Sequence, residues 1–158
     1  MISPGTDIVQ DKEEGVLTYT ALKILRVAAE SFYEQDFNSV GMRMVASQTI
    51  VRGRSPYHYF ASKKEILFAI ILEATRDFIA DHPPTKNATV DFEQYLQMLV
   101  EHHFYYFCEH RHALGVGYRE MYNLTVDHQE IAQKCRLQYQ TQHSKIYQDW
   151  HRCWRIPL

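Results

Sequence analysis

The sequence predicts an all-α fold. After residue 17, apolar residues recur at three- and four-residue spacing in segment after segment, the mark of helices with one buried face. No stretch alternates apolar and polar residues convincingly as a strand would, and no internal repeat is present. Three short segments, the last two separated by a tight turn, precede much longer ones. That order is the helix-turn-helix layout followed by a helical body.

In the first helix, Leu17, Leu22, Ile24, Leu25, Ala28, Ala29, Phe32 and Tyr33 share a face. Thr18 or Thr20 caps its start, because a hydroxyl oxygen can accept from an otherwise unpaired N–H of the first turn. The helix runs out near Asp36, and Asn38 and Ser39 mark a turn. Met42, Val45 and Ala46 give a short second helix, followed by a break from Thr49 to Arg54 that contains Gly53. Ser55-Pro56 opens the third: serine caps, and proline fits the first helical position, where its missing N–H had no partner. This helix, carrying Tyr57 to Phe60, must be very short, because Ser62 with Glu65 forms the capping box of the next one. The fourth helix continues through Ile66, Leu67, Ala69, Ile70, Ala74 and Phe78 to a stop at His82-Pro83-Pro84. Phe92, Tyr95, Leu96, Leu99, His103 and Tyr106 line a fifth. His110 to Asn123 reads as a sixth, weakened by Gly115 and Gly117. From Asp127 onward, Ile131, Cys135, Tyr139, Ile146 and Trp150 give a seventh, and Pro157 forbids much beyond it.

At 158 residues the chain is long enough for one good core, or for a small unit docked on a larger one. The first sixteen residues, with Pro4, Gly5 and Asp11-Lys12-Glu13-Glu14, read as a loose arm. No apolar run reaches membrane-spanning length, and the N-terminus lacks the basic and apolar regions of a signal peptide. Cys108, Cys135 and Cys153 are odd in number and widely spaced, so they read as free thiols in a reducing cytosol. A cytoplasmic protein without membrane partners is expected.

Charge is distributed unevenly. Residues 1–36 carry three basic and seven acidic side chains, and residues 65–158 carry nine basic and twelve acidic. Residues 37–64 carry five basic side chains (Arg43, Arg52, Arg54, Lys63, Lys64) and no acidic one. Carboxylates would repel phosphates at close range, so an acid-free window with interleaved aromatics suits a surface that grips a sugar-phosphate backbone. The competing explanation is a chance fluctuation on a solvated face.

Ile24-Leu25, Ala28-Ala29, Phe32, Phe37, Arg43, Val45-Ala46, Val51, Tyr57-His58-Tyr59-Phe60, Ser62-Lys63 and Glu65-Ile66-Leu67 keep one register without a gap. Together they resemble the N-terminal signature of the tetracycline-repressor (TetR) family. The resemblance is strong over about residues 17–75 and only architectural afterwards. It implies a DNA-binding transcriptional regulator, usually a repressor released by a small-molecule ligand, acting as a homodimer on double-stranded DNA. The fold implied is an N-terminal three-helix helix-turn-helix DNA-binding domain over 17–62, followed by a helical ligand-binding and dimerisation domain over 63–158. It also implies that a helix shift in the body alters the spacing of the two heads.

Carried over by position, Arg43 sits where the second helix touches DNA. Ser55 and Tyr57 take recognition-helix positions with His58 beside them, Lys63 matches a phosphate-contacting lysine, and Tyr59 and Phe60 match core anchors. Three departures stand out. Asp36 replaces a preferred glycine, which aspartate tolerates in a left-handed turn. Ile50 replaces another, so that turn is expected to be rebuilt. Pro56 falls inside the family's recognition helix, which predicts a late start there and leaves Arg52 and Arg54 on a loop, free to reach phosphates. These departures also leave room for a different class of protein, an interaction or ligand-binding helical module whose DNA-binding head has degenerated.

The body is rich in His and Tyr. A metal site is one reading, since His103 and His110 are seven apart, but no His-x-x-x-His or Cys-His spacing fixes a geometry. The resemblance favours an effector pocket with Tyr95, Leu99, His103, Tyr106, Tyr118 and Tyr122 as its walls, the remaining alternative being ordinary core packing. Glu101, His102, Glu109, His112 and Cys108 form no nucleophile–base–orienter set, so no catalytic residue, metal or cofactor is expected. The resemblance implies two further helices that form the dimer interface, whereas this sequence stops about where the seventh would end, so either a shortened protein or dimerisation through other surfaces is expected. Trp150 and Trp154, four apart, are expected to be covered by a partner subunit or by the body itself.

Overall fold

A computed structural model describes residues 18–49, 56–81 and 92–153. Within them lie six α-helices and two 3-10 turns: α1 Tyr19–Gln35, α2 Met42–Gln48, a turn at Pro56–His58, α3 Lys63–Ala80, α4 Phe92–Glu109, α5 Arg111–Arg119, a turn at Met121–Asn123, and α6 Val126–Cys153. No strand occurs among the described residues. No described helix is long and apolar enough to cross a membrane.

Of the two threonines able to cap α1, Thr18 does so, its Oγ1 accepting from the Ala21 N–H at 3.3 Å. Ile24, Leu25, Ala28, Ala29 and Phe32 are buried as the spacing predicts, but Leu22 and Tyr33, expected on the same face, lie at its margins and are exposed. The helix ends at Asp36, whose φ of 72° and ψ of 142° turn the chain sharply. The φ is positive as the loss of the preferred glycine implies, but the ψ takes the residue out of the left-handed helical region, where aspartate is most at ease, into one that glycine favours. Phe37 follows and sets its ring edge-on to Phe32 with centroids 5.0 Å apart. The Ser31 hydroxyl lies 2.9 Å from the Val27 carbonyl and 2.6 Å from the Gln48 side-chain oxygen, which ties α1 to the end of α2. Thr49 closes α2 by donating its N–H and its hydroxyl to the Val45 carbonyl.

The third helix of the sequence reading is a single 3-10 turn that begins at Pro56. In such a turn, residues three apart stack on one side. Pro56 and Tyr59 face inward accordingly, while Tyr57 and His58 face out. Ser62 caps α3 by accepting from the Glu65 N–H at 3.2 Å, but Glu65 reaches back to the Ala61 N–H at 2.8 Å, one residue earlier than a capping box requires.

Helix α3 is the axis of the molecule. Seven successive residues, Ile66 to Leu72, are buried, so the helix is covered on all sides and not on one stripe. Helices α1, α5 and α6 pack against it. Val116 of α5 is fully buried, and Gly117 leaves room for Ile71. Phe78 is ringed by His102, His103 and Tyr106 of α4 and by Tyr139 of α6.

The single sixth helix expected over 110–123 divides in two. Helix α5 ends at Arg119, and a 3-10 turn carries Met121 to Asn123. The carboxylate of Glu120 explains the division: its oxygens accept from Arg119 Nε at 2.9 Å and Asn123 Nδ2 at 2.8 Å, closing the corner on itself. The expectations for the N-terminal arm, the Ile50 turn and Trp154 lie outside the described residues, as does the side chain of Trp150.

Candidate nucleic-acid interface and effector cleft

Two elements build the candidate interface. Helix α2 packs against the turn Pro56–His58, so the two are held as a pair by the core residues Val45, Tyr59 and Phe60. Arg43 is exposed on α2, and Tyr57 and His58 are exposed on the turn. The His58 ring meets the Tyr59 ring edge-on at 5.4 Å, so the buried tyrosine supports its exposed neighbour. Arg52, Arg54 and Ser55 lie outside the described residues.

Lys63 departs from its expected place on phosphates. Its ammonium donates to the carbonyl oxygens of Phe37 at 2.6 Å and Val40 at 2.9 Å, with that of Asn38 at 3.5 Å, and it lies 4.3 Å from the centre of the Phe37 ring. An ammonium has three donors, and all three are directed at the corner between α1 and α2. Burial pushes the group below its ordinary pKa, opposed by the negative charge of Glu120.

A second cation holds the same corner. Arg119 donates from Nη2 to the carbonyls of Phe32 at 2.6 Å and Tyr33 at 3.1 Å. Its Nε lies 3.8 Å from an Asp36 oxygen, and its guanidinium is 5.6 Å from the centre of the Tyr33 ring. The Phe32 and Tyr33 carbonyls belong to the last turn of α1, where helical carbonyls have no partner within their own helix. Neither Arg119 nor Glu120 stands out in the sequence. The only signal is a pair of adjacent opposite charges at the end of a weak helix, which is common on solvated surfaces.

The six pocket candidates do not converge. Leu99 and Tyr106 are buried. His103 presents Nδ1 to the Leu99 carbonyl at 2.8 Å, which must accept, so Nδ1 carries the hydrogen and in the neutral ring Nε2 takes the Tyr139 hydroxyl at 2.7 Å. Tyr95 is half-buried on the same helix. Tyr118 and Tyr122 are 64% and 75% exposed, on α5 and the turn after it. Tyr118 instead receives the Arg136 guanidinium 5.0 Å from its ring centre. Tyr118 faces outward on α5 itself, and Tyr122 lies on the turn beyond the division at Glu120.

Two clefts among the described residues flank the end of α3. One, of about 640 Å³, lies between the end of α3 and α4, lined by Asp77, Asp81, His102, Tyr106, Glu109 and His110. The other, of about 530 Å³, lies between α1, α3 and the start of α5, and Leu22, Arg26, Glu73 and Arg111 are among its walls. Asp77, Glu109 and His110 line both. Of the six candidates, only Tyr106 reaches either. Its hydroxyl donates to the Ala74 carbonyl at 2.8 Å, and its ring stacks on His110 with centroids 4.1 Å apart. Burial pushes its pKa up, and the carboxylates of Asp77, Asp81 and Glu109 push it further. Burial and then Asp77 raise Glu73 in the same way, with Arg76 opposing.

Comparison with known proteins supplies the context. Residues 24–70 match the family model of bacterial regulatory proteins, tetR family. Among curated proteins, none is significantly similar in sequence. The fold is similar to that of a regulatory protein in the tetR family from Rhodococcus RHA1, with a TM-score of 0.73 at 20% identity over 82% of this chain and 68% of that one. It is similar to the transcriptional regulator PfmR from Thermus thermophilus, with a TM-score of 0.70 at 25% identity over 79% and 68% of the two chains. It is also similar to a TetR-family regulator from Bordetella parapertussis, with a TM-score of 0.76 at 13% identity over 88% and 72%.

Proposed function

We propose, from the match of residues 24–70 to the model of bacterial regulatory proteins, tetR family, and from the shared fold, that this chain is a regulator of that family, represses transcription from a double-stranded DNA operator and is released by a small-molecule effector. The observation that carries the reading is the exposed pair of Arg43 on α2 and Tyr57 on the turn packed against it, within a window free of acidic residues. Residues 17–62 act as the DNA-binding head and 63–158 as the effector-binding body. Arg43 and Tyr57 contact the duplex, joined by Arg52, Arg54, Ser55 and His58. Lys63 supports that surface from behind, since its donors are taken by backbone carbonyls. The effector enters the cleft beside Tyr106, and the active species is a homodimer that spans two half-sites.

The test is a salt titration of duplex binding with fragments of genomic DNA. A protein making several phosphate contacts loses affinity steeply as salt rises. A flat, weak response sinks the reading. It would favour the second one, a protein-interaction module, to which the reduction of the recognition element to one 3-10 turn lends weight.

A further inference from the structure

We propose that Glu120 is a positioning residue for DNA recognition: through Arg119, its buried carboxylate sets the corner between α1 and α2 that orients the DNA-binding head. The inference rests on the reading that residues 17–62 bind DNA.

Helix α1 has no basic residue in its last turn, and Asp36 stands just beyond it. The negative end of the helix dipole is therefore uncompensated by its own sequence. The compensation comes from Arg119, 86 and 87 residues away, which caps the Phe32 and Tyr33 carbonyls. Lys63 does the same for Phe37 and Val40, just past the helix end. Two cations thus converge on one short stretch, Phe32 to Val40, and neither belongs to it.

Of the two, Arg119 answers to a buried anion. The Glu120 side chain is 6% exposed, and its oxygens are taken by Arg119 Nε and Asn123 Nδ2. A buried carboxylate is costly unless cations and donors surround it, so Glu120 and Arg119 depend on one another. The arrangement is directional. Glu120 follows α5, whose Arg111, His112 and Ala113 wall the cleft next to α1. Displacement of α5 by a ligand in that cleft would move the carboxylate, and with it the hold on the corner.

The experiment uses the full chain. Glu120→Gln preserves shape and one acceptor but removes the charge. The expected result is about a tenfold rise in duplex Kd, for one weakened charge-assisted hydrogen bond, with the salt slope unchanged because no phosphate contact is lost. Amide exchange should accelerate over the last turn of α1, Phe32 to Gln35, and stay at the wild-type rate over Ile66 to Leu72. The double variant Glu120→Gln/Arg119→Leu should bind no worse than Arg119→Leu alone, because the carboxylate acts through the guanidinium.

Unchanged duplex affinity in Glu120→Gln overturns the proposal. So does faster exchange spread evenly over α3, which would mark a merely structural role. A wild-type protein with no duplex affinity sinks the regulator reading itself, and the exchange measurements then decide alone whether Glu120 holds the corner.

Discussion

Single residues decide how tightly α1 is held. Gly115 lies under the Tyr33 ring so closely that an added Cβ would fall 2.5 Å from Tyr33 Cε2. Gly115→Ala gains about 1 kcal/mol of helix propensity, but forcing a methyl group into a filled site costs about 1–3 kcal/mol. Overpacking wins, and the variant should unfold at lower denaturant than the wild type. Because Tyr33 is partly exposed, its ring can swing away at the expense of its contacts with His112 and Arg119. In a Tyr33→Ala background the same glycine replacement should instead stabilise, and a further loss there would refute the clash. At the candidate interface, Arg43→Ala should weaken duplex binding and flatten its salt dependence by about one unit of slope. An unaltered slope would remove Arg43 from the contact list.

Helices whose ends are written in local chemistry were legible in the sequence. Thr18 and Ser62 cap α1 and α3 through hydroxyl oxygens that accept from nearby N–H groups, and both lie within three residues of their partners. Ser62→Ala should cost about 1 kcal/mol, and thermal unfolding should shift down by about 2–4 °C. No shift would mean that the Glu65 contact with Ala61 closes the end alone. The start of the recognition turn was legible as well, because proline without an N–H can only stand first. The division of the sixth helix was not. It depends on a carboxylate whose partners include a side chain three residues on and an arginine that serves another helix. The 3.6-residue period carries no information about such distant carbonyls. The position of Tyr122 was illegible for the same reason, since it was placed by a helix that stops before it.

The molecule as a whole is organised around one buried helix, and its response to pH follows. The Tyr106 hydroxyl joins α3 to α4, and burial with Asp77, Asp81 and Glu109 holds its pKa above the ordinary value. In the unfolded chain a tyrosine ionises near pH 10, whereas the folded one keeps its proton higher. The unfolded state then binds fewer protons, so stability falls as pH rises above about 10 and is fully present below it. Urea midpoints measured from pH 8 to 11 should decline, and in Tyr106→Phe they should decline less. Equal declines in both proteins would separate Tyr106 from the effect. The hydroxyl itself contributes about 0.5–1.5 kcal/mol through its hydrogen bond, so the variant should already be weaker at neutral pH.

The turn at Pro56–His58 has a last consequence. Its three-residue pitch gives Pro56 and Tyr59 to the interior and Tyr57 and His58 to the surface, so in the proposed DNA-binding role two side chains of the turn would face the bases. Each good base contact discriminates by about 1–3 kcal/mol, so this turn distinguishes sequences by about 2–6 kcal/mol at most. A genome offers millions of competitors, and so narrow a reading head cannot single out one address. If this chain reads DNA as proposed, its selectivity must be assembled from several weak readings, by repetition across a two-fold axis or by the arginines that precede the turn in sequence.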